Sequence, residues 1–305
     1  MRISRSMARI LIGLAEGATS LPALAQKAGL SQNRCSELTI RLEEAHLLAR
    51  ERRGMRTLLK LSDSPIATSF REMYLSAPQM KYVNFLYGAR LDLLQLLIYE
   101  PKSVNALSKI IGASKPAVRG NMRSLLYANL LWGEKTRYLL SRKAHPKIYS
   151  FLHALRTFTP ENKIIMWKFN DEEIFRTRNP AQVTEPTGFN RFGDFGVEVR
   201  TIDCLCVAPK RALGKGEIFA HGLMQVYDPR TLAIAVTFYL KNAIKEKSLA
   251  FLLEKYDLVR KFAEFSKTVD TFIKDNNAGI ANTLLPSITG EEIRRTLAIY
   301  GVKHV

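Results

Sequence analysis

The sequence predicts a mainly α chain with small β elements: two tandem copies of a three-helix unit closed by a hairpin, followed by a C-terminal α+β domain. Three observations carry that expectation. The first is an internal repeat at an offset of 83 residues, in which Ile10, Leu11 and Leu14 fall on Leu93, Leu94 and Leu97, Leu24 on Leu107, Gly29 on Gly112, Ser31 on Ser114, and Leu42 on Leu125. A shared offset that keeps both the apolar positions and a Gly-x-Ser turn marks one structural unit used twice. The second is the distribution of charge. Residues 1–157 carry 25 Lys/Arg against 10 Asp/Glu, net +15, whereas residues 158–305 carry 21 against 18, net +3. The third is composition: 305 residues, 47% hydrophobic and 24% charged, exclude disordered, collagenous and disulfide-scaffold classes.

Copy one opens with a helix over residues 5–16, and Thr19 or Ser20 caps a short second helix through Ala28. Gly29-Leu30-Ser31 makes a tight turn, glycine taking a positive φ and Ser31 capping a third helix from Gln32 to Ala45. Leu47 to Arg50 and Arg56 to Leu61 then alternate as two strands around Arg53-Gly54. Copy two follows the same plan over residues 89–99, 104–111 and 115–128, with a hairpin over 130–140 that is about four residues shorter. Residues 63–88 read as a connector holding a short helix, too rich in aromatics for a free tether. The expected domains are therefore 1–62, 89–157 and 158–305, with 63–88 between the first two.

Each copy resembles the winged helix-turn-helix family of DNA-binding domains. The resemblance implies that helix three enters the major groove of double-stranded DNA and that the hairpin wing touches backbone or minor groove. Domains of this kind also serve as protein-docking modules; the net +15 of residues 1–157 favours a polyanion. Helical geometry places Cys35, Leu38, Leu42 and Ala45 on the core face of the first such helix. Asn33, Ser36, Glu37, Ile40 and Glu44 then point outward, with Gln32 at the flank. Gln32 and Asn33 either pair with adenine edges or only complete the N-cap, and Glu37 has the chemistry to accept from cytosine. The basic side chains of this copy sit in the wing, at Arg50, Arg52, Arg53 and Arg56, where phosphate or minor-groove contact competes with a merely solvated hairpin. In copy two Val118, Met122, Leu125 and Ala128 take the core face, leaving Lys115, Arg119, Gly120, Arg123 and Tyr127 outward, and the wing adds Lys135 and Arg137. Copy one thus reads as a base reader with a basic wing, copy two as a phosphate binder or guanine reader.

In the second half, helices are expected over 146–157, 215–226, 230–241, 245–256, 258–276 and 291–300, the last capped by Thr289, with strands over 164–169 and 197–207. No catalytic constellation emerges. Thr201-Ile202-Asp203 resembles the nucleotidyltransferase strand that carries two metal-binding carboxylates, but threonine stands at the first of them, and a two-metal site without its carboxylates does not work. Cys204 and Cys206 share a strand face with His221 as a third ligand at most, so buried structural cysteines are favoured over zinc. Gly214-Lys215-Gly216 is too short for a phosphate-binding loop. The expectation is no metal, no cofactor and no enzymatic activity. The Pro229 to Leu232 helix start and the Lys255-Tyr256 helix end resemble the antitoxin-type regulators of abortive-infection systems, which implies a tail that binds a protein partner.

Arg2, Arg5 and Arg9 before the apolar run from Ile10 to Ala15 mimic a targeting signal, but that run is short, Glu16 interrupts it, and it has a counterpart at Leu93 to Leu97. No stretch approaches the ~18–20 apolar residues of a membrane span. With three cysteines and no disulfide framework, a reducing cytoplasm and no membrane are expected. The leading functional expectation is a double-stranded-DNA-binding transcriptional regulator with a C-terminal dimerisation or partner-binding domain. Its alternatives are an antitoxin-like or replication-associated DNA binder with a protein partner, and a nucleic-acid-modifying enzyme with an unrecognised site.

Overall fold

The structure, a computed structural model, describes residues 2–54, 56–134 and 136–302, and the side chains of all these but Arg53, Arg56 and Glu134. It is mainly helical with small antiparallel sheets, and divides into two compact units, Met1–Phe158 and Thr159–Val305.

Unit 1 begins with α1 (Arg5–Ala15), α2 (Leu21–Ala28) and α3 (Gln32–Glu44), then the hairpin β1 (Leu48–Arg53) and β2 (Arg56–Leu61), then α4 (Pro65–Ser76). A 3-10 turn at Tyr82–Asn84 leads to α5 (Gly88–Leu96), β3 (Lys102–Ser103), α6 (Val104–Ile111), α7 (Lys115–Tyr127), the hairpin β4 (Leu131–Glu134) and β5 (Arg137–Leu140), and α8 (Pro146–Thr157). The repeat seen in the sequence recurs bond by bond. Ser20 and Ser103 cap α2 and α6, Ser31 and Ser114 cap α3 and α7, and Gly29 and Gly112 close α2 and α6 at φ +65° and +71°. Leu47 N–H donates to Leu42 O at 2.9 Å, as Leu130 does to Leu125 at 3.0 Å. His46 and Asn129, directly after the matching helices, both take a left-handed φ, +58° and +55°. The second hairpin gains a third strand, β3, where the first has a single bond from Leu59 N–H to Thr19 O at 2.8 Å.

The repeat runs past the hairpins. Both α4 and α8 have twelve residues, and Pro65, Ser69 and Phe70 of one stand where Pro146, Ser150 and Phe151 stand in the other. Ser64 hydroxyl donates to His46 O at 2.5 Å, and the residue in its place in copy two, His145, bonds Asn129 O at 3.0 Å. Residues 63–88 therefore hold the closing helix of copy one. The two closing helices pack on each other: Phe70 and Phe151, both fully buried, meet edge to face with centroids 5.4 Å apart. Lys147, four residues before Phe151, pairs at 2.8 Å with Glu72, two residues after Phe70, so the helices run antiparallel. The helical-wheel core is right for Cys35, Leu38, Leu42, Val118, Met122 and Leu125 but not for Ala45, which is half-buried, nor for Ala128, which is exposed. Both alanines are helix C-caps, where the chain leaves the helical path.

Unit 2 contains β6 (Ile164–Phe169), β7 (Glu172–Thr177), β8 (Glu185–Pro186), a 3-10 helix (Gly188–Phe195) and β9 (Cys204–Ala208), then α9 (Lys215–Met224), α10 (Pro229–Lys241), α11 (Glu246–Lys255), α12 (Val259–Lys274), the short pair β10 (Gly279–Ile280) and β11 (Ile288–Thr289), and α13 (Gly290–Ile299). The sheet order is β6-β7-β9-β8, all antiparallel. The strand expected over 197–207 begins only at Cys204. Residues 188–195 wind into the 3-10 helix, and its Asn190 holds the following loop, donating to Thr201 Oγ at 2.7 Å and accepting from Leu205 N–H at 2.9 Å. Its core is aromatic: Phe192 stacks on Phe238 at 3.8 Å, and Phe219 meets Phe265 at 5.4 Å. Gly222 makes the first of these possible, since a Cβ there would lie 2.6 Å from the Phe192 ring. No helix among the described residues is long and apolar enough to cross a membrane.

Candidate nucleic-acid interface

The third helix of each copy presents a different chemical face. In α3, Ser31 Oγ accepts from Arg34 N–H at 3.3 Å, which leaves Gln32 and Asn33 exposed on the first turn with side chains uncommitted to the cap. Glu37 is exposed but neutralised by Arg34 at 2.6 Å, and Ser36 is half-buried. The hairpin cations are only partly presented outward. Arg50 turns back onto its own helix, its Nε 2.8 Å from Glu43 and a terminal nitrogen 3.3 Å from Thr39 Oγ. Arg52 is exposed. The backbones of Arg53 and Arg56 form the last rung of the hairpin, and their side chains lie outside the described residues. Lys27 and Lys60 of the same copy are likewise paired, with Glu16 at 3.0 Å and Glu51 at 3.3 Å. Exposed pairs of this kind contribute little to stability. Their effect is to lower the positive field of copy one.

Copy two is arranged otherwise. Residues 101–157 carry 11 Lys/Arg and one acid, Glu134. Lys115, Arg119 and Arg123 follow one another at i, i+4 and i+8 on α7, all exposed and without an ion pair among the described residues. A rise of ~1.5 Å per residue spaces the three cations at about 6 Å along one ridge. Tyr127, 95% exposed, continues the row, and Arg137 is exposed on β5. Lys135 lies outside the described residues. Gly120 sits inside this helix, and nothing lies within 4 Å of where its Cβ would be. No packing in the unit calls for a glycine there, although glycine in a helix interior costs about 1 kcal/mol relative to alanine. Beside the row, a cleft of about 470 Å³ is walled by Arg90 and Arg123. Arg90 is fixed in it by bonds to Asn84 O at 2.7 Å and Asn121 Oδ1 at 3.3 Å.

Each copy also ties the end of its first helix to its closing helix. Glu16 accepts from Tyr74 hydroxyl at 2.9 Å, and Tyr99, its counterpart, bonds His153 Nδ1 at 2.7 Å. Burial pushes the Glu16 carboxyl up, but the bonds from Lys27 and Tyr74 outweigh it and hold the group below its ordinary value. For His153, burial first and then Arg156 and Arg142 keep the imidazole below its ordinary value.

Sequence reasoning missed the largest ionic cluster of unit 2. Arg211 bridges Glu172 at 2.8 Å and Glu217 at 2.9 Å, Lys255 pairs with Glu172 at 2.8 Å, and Tyr256 hydroxyl donates to Glu217. Burial pushes the Glu217 carboxyl up, yet the bonds from Arg211 and Tyr256 prevail and bring it down to about 2. Two carboxylates face two cations, so the cluster is closed on itself and ties β7, α9 and α11 together. No local pattern announces it, because its members span residues 172 to 256. His221 adjoins it, fully buried, with Nδ1 2.7 Å from Thr187 Oγ and its ring against Tyr256. Burial drives its pKa down to about 3.

The sulfurs of Cys204 and Cys206 lie 3.3 Å apart on β9, while His221 is engaged with Thr187. Among the described residues no group of three His, Cys, Asp or Glu is placed to hold a metal. Asp203 pairs with Arg178 at 3.3 Å, and Asp194 with Arg191. The chain matches no known protein family, no curated protein and no solved structure.

Proposed function

We propose that unit 1 is a pair of winged helix-turn-helix modules that binds double-stranded DNA, and that the chain is a transcriptional regulator acting in the cytoplasm without catalysis. The observation that carries this reading is the row Lys115, Arg119 and Arg123, three exposed cations with no acidic partner among the described residues, flanking a glycine the fold does not need. Cations held in a ridge without counter-charges raise the local concentration of a polyanion, and a bare glycine lets its backbone come close. The order of three helices, hairpin and closing helix, used twice, supports the same assignment. Unit 2, with its net charge near +3, takes the dimerisation or partner-binding role; exposed Ile202, Ile299 and Tyr227 support a protein partner there.

Fluorescence anisotropy of the whole chain on a labelled random duplex, repeated over a range of salt, tests the DNA reading. About six to eight phosphate contacts give a slope of log K against log salt of about −5 to −7. A slope near zero, or duplex binding carried entirely by residues 159–305, refutes it.

A further inference from the structure

We infer that the DNA target of unit 1 is an inverted pair of unequal half-sites, both occupied by a single chain. The inference rests on the DNA-binding reading above and adds the geometry of the target. It starts from the contact between the closing helices. Phe70 and Phe151 are equivalent residues of the two copies, and they touch each other. Copies related by a translation or a screw can also stack equivalent residues, but their helices then run parallel. Equivalents that meet on antiparallel helices lie on a two-fold axis, where the contact is isologous. The ion pair beside the rings agrees: from the Phe70–Phe151 crossing, two residues forward on α4 meets four residues back on α8, through Glu72 and Lys147. The helices run antiparallel about that crossing, so the two-fold axis lies perpendicular to them. Because the caps, turns and hairpin closures repeat bond by bond within each copy, this relation carries over from the closing helices to α3 and α7.

A duplex has two-fold axes of its own, perpendicular to its length. Two readers related by such an axis present the same orientation to the groove only when their half-sites are inverted. The symmetry holds for backbone and not for side chains. Gln32 and Asn33 on α3 suit adenine edges, whereas Arg119 and Arg123 on α7 suit guanine or phosphate. One half-site is therefore read by amides and holds adenine, and the other is held by cations and is guanine-rich.

The test is selection of bound sequences from a random duplex library by the whole chain, followed by three labelled duplexes: the recovered site, the site with one half turned to make a direct repeat, and a single half. The expected result is an inverted, unequal motif bound by one chain per duplex, with about a hundredfold loss when one half is turned. Asn33→Ala should relax preference in one half only and Arg119→Ala in the other; both residues are exposed, so both variants fold. A direct repeat, a lone half-site, no sequence enrichment, or indifference to turning one half overturns the inference while leaving DNA binding intact. Absence of any duplex binding at low salt overturns both.

Discussion

Phe70 and Phe151 meet edge to face with an interplanar angle of 66°, and each is the other's counterpart in the repeat. Both are wholly buried, so the ring pair is core to both copies at once. Removing either ring leaves a cavity that the partner helix cannot collapse to fill. Phe70→Ala and Phe151→Ala should each destabilise unit 1 by about 3–5 kcal/mol. The double variant should show a coupling of about 0.5–1.5 kcal/mol beyond additivity. Urea unfolding of the whole chain in a Trp167→Phe background, followed by Trp132 fluorescence, measures both; additive losses of under 1 kcal/mol mean that the helices do not form a shared core.

Gly120 predicts opposite effects on stability and on binding. Its φ is not in the left-handed region and the space around it is open, so Gly120→Ala is accommodated without strain. Helix propensity then favours the variant by about 0.5–1 kcal/mol. On DNA, the added methyl holds the α7 backbone away from its partner and should weaken binding several-fold. A variant that is more stable and binds equally well would show that the glycine has no part in the interface.

The two copies should respond differently to loss of arginine. Arg119→Ala combined with Arg123→Ala should weaken binding most at the guanine-rich half-site and flatten the salt slope by up to about two units. Arg50 is spent on Glu43 and Thr39, so Arg50→Ala should leave the slope nearly unchanged and cost at most about 1 kcal/mol of stability. Equal effects on the slope would mean that the ion pairs of copy one open on DNA.

Acid should destabilise unit 2 beginning near neutrality, through His221. Above about pH 6.5 the imidazole is neutral in folded and unfolded chains alike and its contribution is fully present. Below that, the unfolded chain takes up a proton that the folded unit refuses until about pH 3, so stability falls with a slope approaching 1.4 kcal/mol per pH unit. Glu217, held near 2 against an ordinary 4.5, adds a second loss in the same direction as pH falls below 4.5. His221→Gln should flatten the profile between pH 6.5 and 4.5 by about one proton. Unfolding followed by Trp167 in a Trp132→Phe background reads it; an unchanged profile assigns the acid sensitivity elsewhere.

What was legible in the sequence is what short-range chemistry decides. Ser31 and Ser114 announce caps, Gly29 and Gly112 announce left-handed closures, and the α3 and α7 cores follow from helical periodicity. The hairpin of β6 and β7 was half-legible: β6 reads as a strand, and Asn170, at φ +53° in the two-residue turn after it, was the missed sign of β7. What stayed hidden depends on which distant groups meet. The offset shifts between the hairpins and the closing helices, so alignment at 83 never brings Phe70 onto Phe151. Net charge counted Arg34 and Arg50 as available to a polyanion, whereas Glu37 and Glu43 hold them. Alternation suggested a strand from Val197, but Asn190 draws that segment into a loop.

The fusion of both copies into one polypeptide changes the mass action of the symmetric core. A two-fold contact between separate subunits dissociates on dilution, and its halves unfold or exchange partners at low concentration. Here α4 and α8 are joined through residues 77–145, so each keeps its counterpart at a fixed effective concentration however scarce the protein is. The midpoint of unit 1 unfolding is accordingly independent of protein concentration, and no excess of a second chain can poison it by mixed pairing. The same linkage frees the two halves from having to share one sequence, since a change in α7 need not be matched in α3.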